Sequence, residues 1–478
     1  MNEANDAASK IWVLVLTSVA SLMVALDAMV VSTALSEIGR EFGASIESLE
    51  WTVNAYTISF AVLLMTAAVM GDRFGRRRLF AAGLGLFVAA SAACALAPNI
   101  GWLIAARAVQ GVGAAAVMPL ALAQLSAAFP PERRGWALGI YSSVTALSSV
   151  VGPVVGGAIT QGLAWQWIFW LNVPIGLLVV VLTFSRLRET FGPGTAADIS
   201  GLALATGGVL SVVWGLVRAN AVGWGSPEIL ASLAAGALLV ALFVAWELRC
   251  AAPMIPMRLF RLRAFAAGNA AMFLLNGALM SAIFFMAQFQ QIALGQGPLA
   301  AGLRLLPWGI ALVIVAPKAG ALAERLGESS VVVLGLLIQA IGLAWIALLA
   351  RPGLVYAEMI VPMIAAGAGF AMAIPIVQKT VVNATPPGDI GKASGALSMI
   401  RQLGGAFGIA ITVTVFAQAG GRATPQAFSD GFAAATGVAA VLSLAGAIAG
   451  LWLPARRGMA LAQAKPALEN SLRPTDMA

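Results

Sequence analysis

The charged stretch 71–78, GDRFGRRR, separates two apolar runs that cover residues 49–70 and 79–97. A membrane-spanning α-helix needs about 20 consecutive, mostly apolar residues, so each run is long enough to cross a bilayer. The glycines of the stretch permit a tight reversal of the chain, and its arginines favour the cytoplasmic side of a membrane. The stretch therefore predicts two spanning helices joined by a short, positively charged cytoplasmic loop.

The composition extends this interpretation to the whole chain. Of its 478 residues, 60% are hydrophobic and 10% are charged, and the mean hydropathy is +0.92. Soluble domains carry about 25% charged residues, so most of this surface is expected to face lipid. The sequence contains no His and two cysteines, Cys94 and Cys250. These counts argue against a disulfide framework, a Ser-His-Asp centre and a histidine proton relay.

Fourteen apolar runs are long enough to span a membrane, and together they predict an all-α polytopic membrane protein. The runs are 11–35, 49–70, 79–97, 100–128, 135–160, 167–185, 198–218, 228–249, 265–292, 300–323, 330–350, 356–385, 395–418 and 431–453. The first run is longer than the apolar region of a signal peptide and leads to no cleavage site, so it is not expected to be removed.

The distribution of positive charge predicts the orientation. Loops on the side of the N-terminus carry most of the 28 Lys and Arg residues. Loops on the other side carry four, namely Arg40, Arg218, Arg351 and Arg422. Because cytoplasmic loops are enriched in Lys and Arg, both termini are expected in the cytoplasm. The net charge of +8 is therefore explained by the orientation of the chain in the membrane, and nucleic acid is not an expected partner.

Residues 256 positions apart repeat one another. The matching pairs are Gly111 with Gly367, Gly113 with Gly369, Pro119 with Pro375, Gly139 with Gly395 and Gly152 with Gly408. The repeat places helices 2–5 over helices 10–13, which predicts two six-helix bundles related as parallel repeats, with two extra helices between them. The expected units are an N-terminal bundle at 1–185, linker helices at 186–250, a C-terminal bundle at 251–455 and a cytoplasmic tail at 456–478.

The loop at 71–78 combines more residue types than a positive-inside anchor requires. For Arg77 and Arg78 an anchoring role is sufficient, whereas Asp72 can lie at a helix N-terminus, where the macrodipole favours an anion. The loop resembles the signature cytoplasmic loop of the major facilitator superfamily. This resemblance implies the major facilitator fold and a gating role for Gly71, Asp72, Arg73, Gly75 and Arg76.

The fourth predicted helix contains Arg107. An arginine inside the membrane costs about 2.5–3.5 kcal/mol even on a lenient scale, so it is expected to face a cavity or a partner. Gly111 and Gly113 allow another helix to approach closely, and no strand precedes them as in a dinucleotide-binding loop. The pattern is similar to the helix 4 motif of the superfamily, whose Arg is implicated in proton coupling. The alternative is that Arg107 holds helices together through backbone hydrogen bonds.

The fifth predicted helix contains Gly152, Pro153, Gly156 and Gly157. The Gly152-x3-Gly156 spacing allows close helix packing, and Pro153 bends the helix. The combination resembles the antiporter motif, which occurs in exporters of this superfamily and is not typical of its importers. The resemblance implies that these four residues take part in gating and that transport is directed outward.

Further stretches resemble the fourteen-spanner drug:proton antiporters of the same superfamily. They are Leu26-Asp27 in the first helix and the segments 165–176, 391–395 and 401–408. The resemblance extends from the first helix to the thirteenth. One difference is Gln166, where the family usually has Arg, and its effect is expected to stay within the outer loop.

The sequence contains no ATP-binding loop, so a gradient is the expected source of energy. Asp27 lies about 16 residues, or about 24 Å, into the first helix and is the one acid placed deep in a core helix. Glu247, Glu358 and Asp198 lie near helix ends and are expected at the membrane interfaces. Without His, the expected proton carrier is Asp27, with Arg107 as its neighbouring cation.

Both halves offer side chains that are expected to line a substrate cavity. They are Asn54, Tyr56, Gln110, Asn276, Phe285, Gln288, Gln291, Arg401 and Gln402. Met280, Phe284 and Met286 provide an adaptable apolar wall together with Phe285, or else pack in the core. Exporters of dications often have several intramembrane acids. A chain with one such acid, plus Lys318 and Arg401, allows lipophilic monocations, neutral amphipaths or anions.

These features together predict proton-coupled efflux of lipophilic small molecules, such as drugs, antiseptics or toxic metabolites, by alternating access. The expected partners are a small-molecule substrate, protons and the lipid bilayer, and the protein is expected to be a monomer without cofactor or metal. Enzyme activity is not expected, because the chain lacks a base or a carboxylate cluster for a nucleophile. The alternative is a dedicated metabolite exporter or an uncoupled facilitator of the same fold.

Overall fold

The computed structural model describes residues 2–192, 198–251, 253–386 and 389–453. The predicted tail at 456–478 lies outside these residues. Within them the chain is α-helical and contains no strand. The helices of the first part are α1 (Asn2–Phe42), α2 (Ile46–Phe74), α3 (Arg76–Ala95), α4 (Ile100–Ala128), α5 (Pro131–Gly162), α6 (Trp167–Trp170), α7 (Asn172–Arg186), α8 (Ile199–Val222) and α9 (Pro227–Glu247). A 3-10 turn (Met257–Arg261) precedes α10 (Arg263–Ile292), α11 (Pro298–Arg304), α12 (Leu306–Leu326), α13 (Glu328–Leu349), α14 (Tyr356–Asn383), α15 (Ile390–Ala419) and α16 (Pro425–Gly450).

The number of spanning helices agrees with an all-α polytopic membrane protein. In the described residues, thirteen helical segments are long and apolar enough to cross a membrane, counting α6 with α7 and α11 with α12 as one segment each. The 32-residue helix α5 is not among the thirteen, and it packs against α1 in the position of the remaining predicted span. The expected run 300–323 is broken at Leu305, because Pro307 stands in the first turn of α12, where proline favours a helix start.

The two six-helix groups pack in the same way. In the first, α2 and α3 both contact α4, α1 contacts α5, and α3 contacts α7. In the second, α12 and α13 contact α14, α10 contacts α15, and α13 contacts α16. Gly75, which follows α2, and Gly327, which follows α12, have φ of 108° and 91°, a conformation that favours glycine. The repeated residues thus form repeated structure.

The bundle has two ends, which we call the Arg73 face, with the loop 71–78, and the Arg422 face, with the loops 43–45 and 420–424. Direct contacts join the two halves at the Arg422 face. Arg422 Nη1 donates to the carbonyl of Ala44 at 3.3 Å, and Gln291 Nε2 donates to the carbonyl of Thr33 at 2.9 Å. At this face α5 also packs against α11. The halves are therefore closed against each other at the Arg422 face.

The linker helices lie beside the two groups. Three valines of α8, Val209, Val213 and Val217, pack with residues of α2 and α15, and α9 contacts α8. The hydroxyl of Thr414 on α15 also donates to the carbonyl of Leu216 on α8 at 3.2 Å. Helix α8 therefore bridges one helix of each half from the outside.

Candidate functional site: a buried ion pair between the helices of the first half

Asp27 on α1 and Arg107 on α4 form an ion pair inside the first half. Arg107 Nη1 donates to Asp27 Oδ2 at 2.5 Å, and both side chains are 1% exposed. Arg107 Nε also donates to the carbonyl of Thr52 on α2 at 3.0 Å. The two residues that the sequence singled out as proton carrier and neighbouring cation are therefore in direct contact, far from water.

Two amides complete the contacts of the carboxylate. Gln110 Nε2 and Asn172 Nδ2 both donate to Asp27 Oδ1, at 3.0 and 2.8 Å. The hydroxyl of Ser91 accepts from the same two amides, at 2.7 and 3.0 Å, which fixes their orientation. Gln110 Oε1 in turn accepts from Arg107 Nη1 at 2.7 Å. Three donors therefore converge on Asp27, which matches an ionised carboxylate, a group that only accepts.

An aromatic ring covers the guanidinium. The Tyr56 ring centroid lies 4.2 Å from Arg107 Cζ, and the Tyr56 hydroxyl donates to the carbonyl of Val24 at 3.3 Å. A cation over an aromatic face is attracted by the ring quadrupole, and the attraction is larger where water is excluded. Tyr56 and Gln110, expected to line the substrate cavity, are thus part of the ion-pair cluster. Their contact with a substrate stays a prediction.

The structure contains a second fully buried acid that the sequence analysis did not single out. Glu50 on α2 is 0% exposed, and its Oε1 accepts from Asn54 Nδ2 at 2.9 Å. Its Oε2 has no hydrogen-bond partner among the described residues, and no cation there forms an ion pair with it. Glu50 stands at the start of the apolar run 49–70, so its depth along the chain gave no reason to single it out. The sequence signal for its burial was the spacing of Glu50 and Asn54, since residues four apart on a helix can form a hydrogen bond.

The loop at 71–78 is tied to the segment that follows α7. Arg76 Nε donates to Asp72 Oδ1 at 2.7 Å, and the Arg76 amide donates to the carbonyl of Thr190 at 2.9 Å. The Gly192 amide donates to the carbonyl of Asp72 at 3.1 Å. Arg73 is exposed, whereas Gly71 and Gly75 are buried. The predicted gating residues therefore form one compact turn on the Arg73 face.

The small residues of α5 face two different partners. Gly152 lies against Met29 of α1, and Gly156 lies against Val30 and Thr33 of the same helix. On the other side, Gly157 contacts the carbonyl of Pro298 and Pro153 contacts Gly302, so both meet α11 in the second half. A Cβ at Gly157 would overlap that carbonyl. The predicted gating motif is therefore a contact between the halves.

Of the other predicted substrate residues, Asn54 on α2 is buried beside Glu50, and the rest belong to α10 and α15. Asn276 Nδ2 donates to the carbonyl of Arg401 at 2.8 Å, and Gln288 Nε2 donates to the carbonyl of Phe284 at 2.8 Å. Phe285 is buried and stacks on Phe416 with ring centroids 4.9 Å apart. These contacts place Phe285 in the core of the second half. The remaining two candidates are Gln291, which bonds to the first half, and Gln402, which is partly buried.

Comparisons with known proteins agree with this architecture. The sequence profile of the Major Facilitator Superfamily matches residues 17–409. The tetracenomycin C resistance and export protein of Streptomyces glaucescens is 32% identical, over 87% of this chain and 78% of its own. The multidrug resistance protein Stp of Mycobacterium tuberculosis is 33% identical, over 86% and 76%. Among solved structures, a D-xylose-proton symporter is similar with a TM-score of 0.67 and 15% identity, over 93% of this chain and 98% of its own. The chain belongs to the major facilitator superfamily.

Proposed function

We propose that the protein exports lipophilic small molecules, such as antibiotics or toxic metabolites, across the cytoplasmic membrane in exchange for protons. Relatives that align with more than four-fifths of the chain are named as resistance or export proteins. The observation that carries the coupling is the buried contact between Asp27 and Arg107. A membrane potential of 100 mV supplies about 2.3 kcal/mol per charge, so one proton per cycle is sufficient for uphill export.

The ion pair supports a proton-exchange role through its geometry. Asp27 is held by donors from two other helices, α4 and α7, and Ser91 of α3 orients the two amides among these donors. Protonation of Asp27 would remove the negative charge that balances Arg107 and leave a buried cation. Because an unbalanced buried charge is costly, the arrangement of these helices and the protonation of Asp27 are coupled.

Alternating access follows from the two repeated halves. We propose an N-terminal bundle at 1–185, linker helices at 186–250 and a C-terminal bundle at 251–455, with both termini in the cytoplasm. The Arg73 face is then cytoplasmic and the Arg422 face is outside. The contacts at the Arg422 face then describe halves that are closed toward the outside. The small residues of α5 and the loop at 71–78 serve as the gating contacts on the two sides.

A growth screen tests export directly. The gene is expressed in a host that lacks its own efflux systems, and the host is challenged with a compound panel. Protection against several compounds that is lost with Asp27→Asn supports the proposal. Proton-dependent uptake of the same compounds into inverted vesicles separates the antiporter from an uncoupled facilitator, which would equilibrate them without concentrating them. Protection against a single metabolite would favour a dedicated exporter.

A further inference from the structure

Arg401 is an arginine of α15 whose side chain has no counter-ion among the described residues. Its Nε is buried and has no hydrogen-bond partner, and in the part of the chain that is described its guanidinium forms no ion pair. Other arginines of this protein are neutralised: Arg107 by Asp27, Arg258 by Asp389 and Arg351 by Glu358. Arg401 lies 11 residues into α15, about 16 Å from its start, which is too deep for an interfacial anchor.

One polar group of the opposite half, the Tyr141 phenol, lies near this guanidinium. Arg401 is an electrostatic neighbour of the Tyr141 phenol on α5, and the Tyr141 hydroxyl donates to Ser21 Oγ on α1 at 2.8 Å. Ser18 lies three residues before Ser21 and therefore on the same face of α1; it is buried, and its Oγ has no hydrogen-bond partner among the described residues. Among the described residues, an arginine of one half that has no ion-pair partner thus lies near a hydroxyl of the other half, and transporters built from such repeats bind substrate between the halves.

The backbone at Arg401 is held in place. Asn276 Nδ2 on α10 donates to the Arg401 carbonyl at 2.8 Å, and Asn276 also packs against Gly405, one turn further along α15. This contact fixes the position from which the guanidinium extends. Ser21 lies six residues before Asp27 on α1, so about 9 Å separates the two levels along the helix. The Arg401 site is therefore close to the ion pair of Asp27 and separate from it.

The charges of these two sites lead to one substrate class. The Asp27–Arg107 pair has no net charge, whereas Arg401 contributes an unbalanced positive charge. A buried guanidinium is stabilised by an acceptor that carries negative charge and engages two of its nitrogens. We infer that Arg401 binds an anionic group of the substrate, such as a carboxylate, sulfonate or enolate, and that the protein exports lipophilic organic anions. This inference rests on the proposed export function.

Two probes with one ring system and opposite fixed charge test the inference. Proteoliposomes with an inside-acid pH gradient are given 2-naphthalenesulfonate or (2-naphthyl)trimethylammonium, and accumulation is measured for the wild type, Arg401→Gln and Arg401→Lys. The matched control is Arg351→Gln, an arginine of the same half that already has a carboxylate partner at 2.9 Å. Monodisperse elution and an unchanged melting temperature establish that each variant is folded.

We expect the wild type to concentrate the sulfonate at least tenfold more than the ammonium probe. Arg401→Gln should reduce sulfonate accumulation at least tenfold, equivalent to about 1.4 kcal/mol, without reducing that of the ammonium probe. Arg401→Lys should restore part of it, and Arg351→Gln should behave as wild type. Equal transport of both probes, or an equal loss of both in Arg401→Gln, would overturn the inference.

The same experiment separates this inference from the proposed function. If the wild type concentrates a compound from the growth screen but not the sulfonate, export stands and the anionic class is wrong. If no compound of the panel is concentrated under the pH gradient, the proposed function itself fails.

Discussion

Replacing Asp27 by Asn removes one charge from the ion pair with almost no change in volume. The introduced asparagine would keep one oxygen acceptor, but its second position would carry an amide donor. In the wild type both carboxylate oxygens accept, from Arg107 on one side and from Gln110 and Asn172 on the other. The variant would therefore place a donor against a donor and leave the Arg107 charge unbalanced.

The contacts set the size of the effect. Breaking one member of a buried ion pair costs about 3–5 kcal/mol, and both partners here are 1% exposed at 2.5 Å. Because the variant retains one acceptor, we expect a loss of stability near the lower end, about 3 kcal/mol. In Asp27→Asn combined with Arg107→Gln both charges are absent. The double variant should therefore lose less stability than the two single variants lose together. The difference, which is the coupling energy of the pair, should be about 0.5–3 kcal/mol.

The transport assay compares uphill accumulation with exchange in proteoliposomes. With 100 mV across the membrane, one coupled charge supplies about 2.3 kcal/mol, or about fortyfold accumulation. Asp27→Asn should reduce accumulation to equilibration while exchange of labelled for unlabelled substrate remains partly intact. The matched control is Glu50→Gln, since Glu50 is also a fully buried acid but has no cationic partner in the described chain. We expect Glu50→Gln to concentrate substrate as the wild type does.

Full proton-coupled accumulation by the Asp27→Asn variant would refute this reasoning. Asp27 would then be a structural counter-ion of Arg107, and the proton would be carried elsewhere. The next acid to test would be Glu50. Glu358, at the start of α14, is a weaker candidate because it is paired with Arg351 at 2.9 Å and is 37% exposed.

The remaining predictions concern the two faces and use labelling of introduced cysteines. Gly157→Ala should separate α5 from α11 and increase labelling at the Arg422 face, whereas Gly162→Ala, with no atom within 4 Å of its Cβ, should not. Asp72→Asn removes an ion pair with Arg76 that is worth up to about 1 kcal/mol. Labelling at the Arg73 face should therefore rise by up to about fivefold. Unchanged labelling would contradict the gating role of Asp72. Arg422→Gln removes one of the hydrogen bonds that close the Arg422 face, worth about 0.5–1.5 kcal/mol, and should increase labelling there by about tenfold at most. Burial lowers the pKa of the Arg422 guanidinium, but an arginine stays protonated between about pH 5 and 9, so wild-type labelling should not vary over that range.

The long helices and the Asp27–Arg107 contact could be predicted from the sequence because membrane burial leaves few options. Twenty apolar residues in a row have one stable spanning form in lipid, the helix. A charge inside such a helix needs a partner, and few charges are available to supply one. Family resemblance supplied the remaining constraint, the proximity of the first and fourth helices.

The places of Asn172 and Ser91 beside Asp27 could not be predicted from the sequence in the same way. Uncharged polar residues are tolerated on several faces of a helix, and their direction depends on how each helix is rotated in the bundle. The burial of Glu50 likewise depends on neighbouring elements rather than on its place in the apolar run. The break at Leu305, in contrast, could have been found, because Pro307 is a helix-start signal inside the run.

The position of α8 determines how molecules dissolved in the bilayer can reach the centre of the protein. Two lateral seams separate the halves, one between α2 and α15 and the other between α5 and the α11–α12 segment. Helix α8 covers the first seam with its row of valines, and α11 closes the second at the Arg422 end. Among the described residues, α8 packs against α2 and α15, so this added helix shields the first seam from lipid. The two seams therefore differ in what they present to the bilayer, although the two halves are built alike.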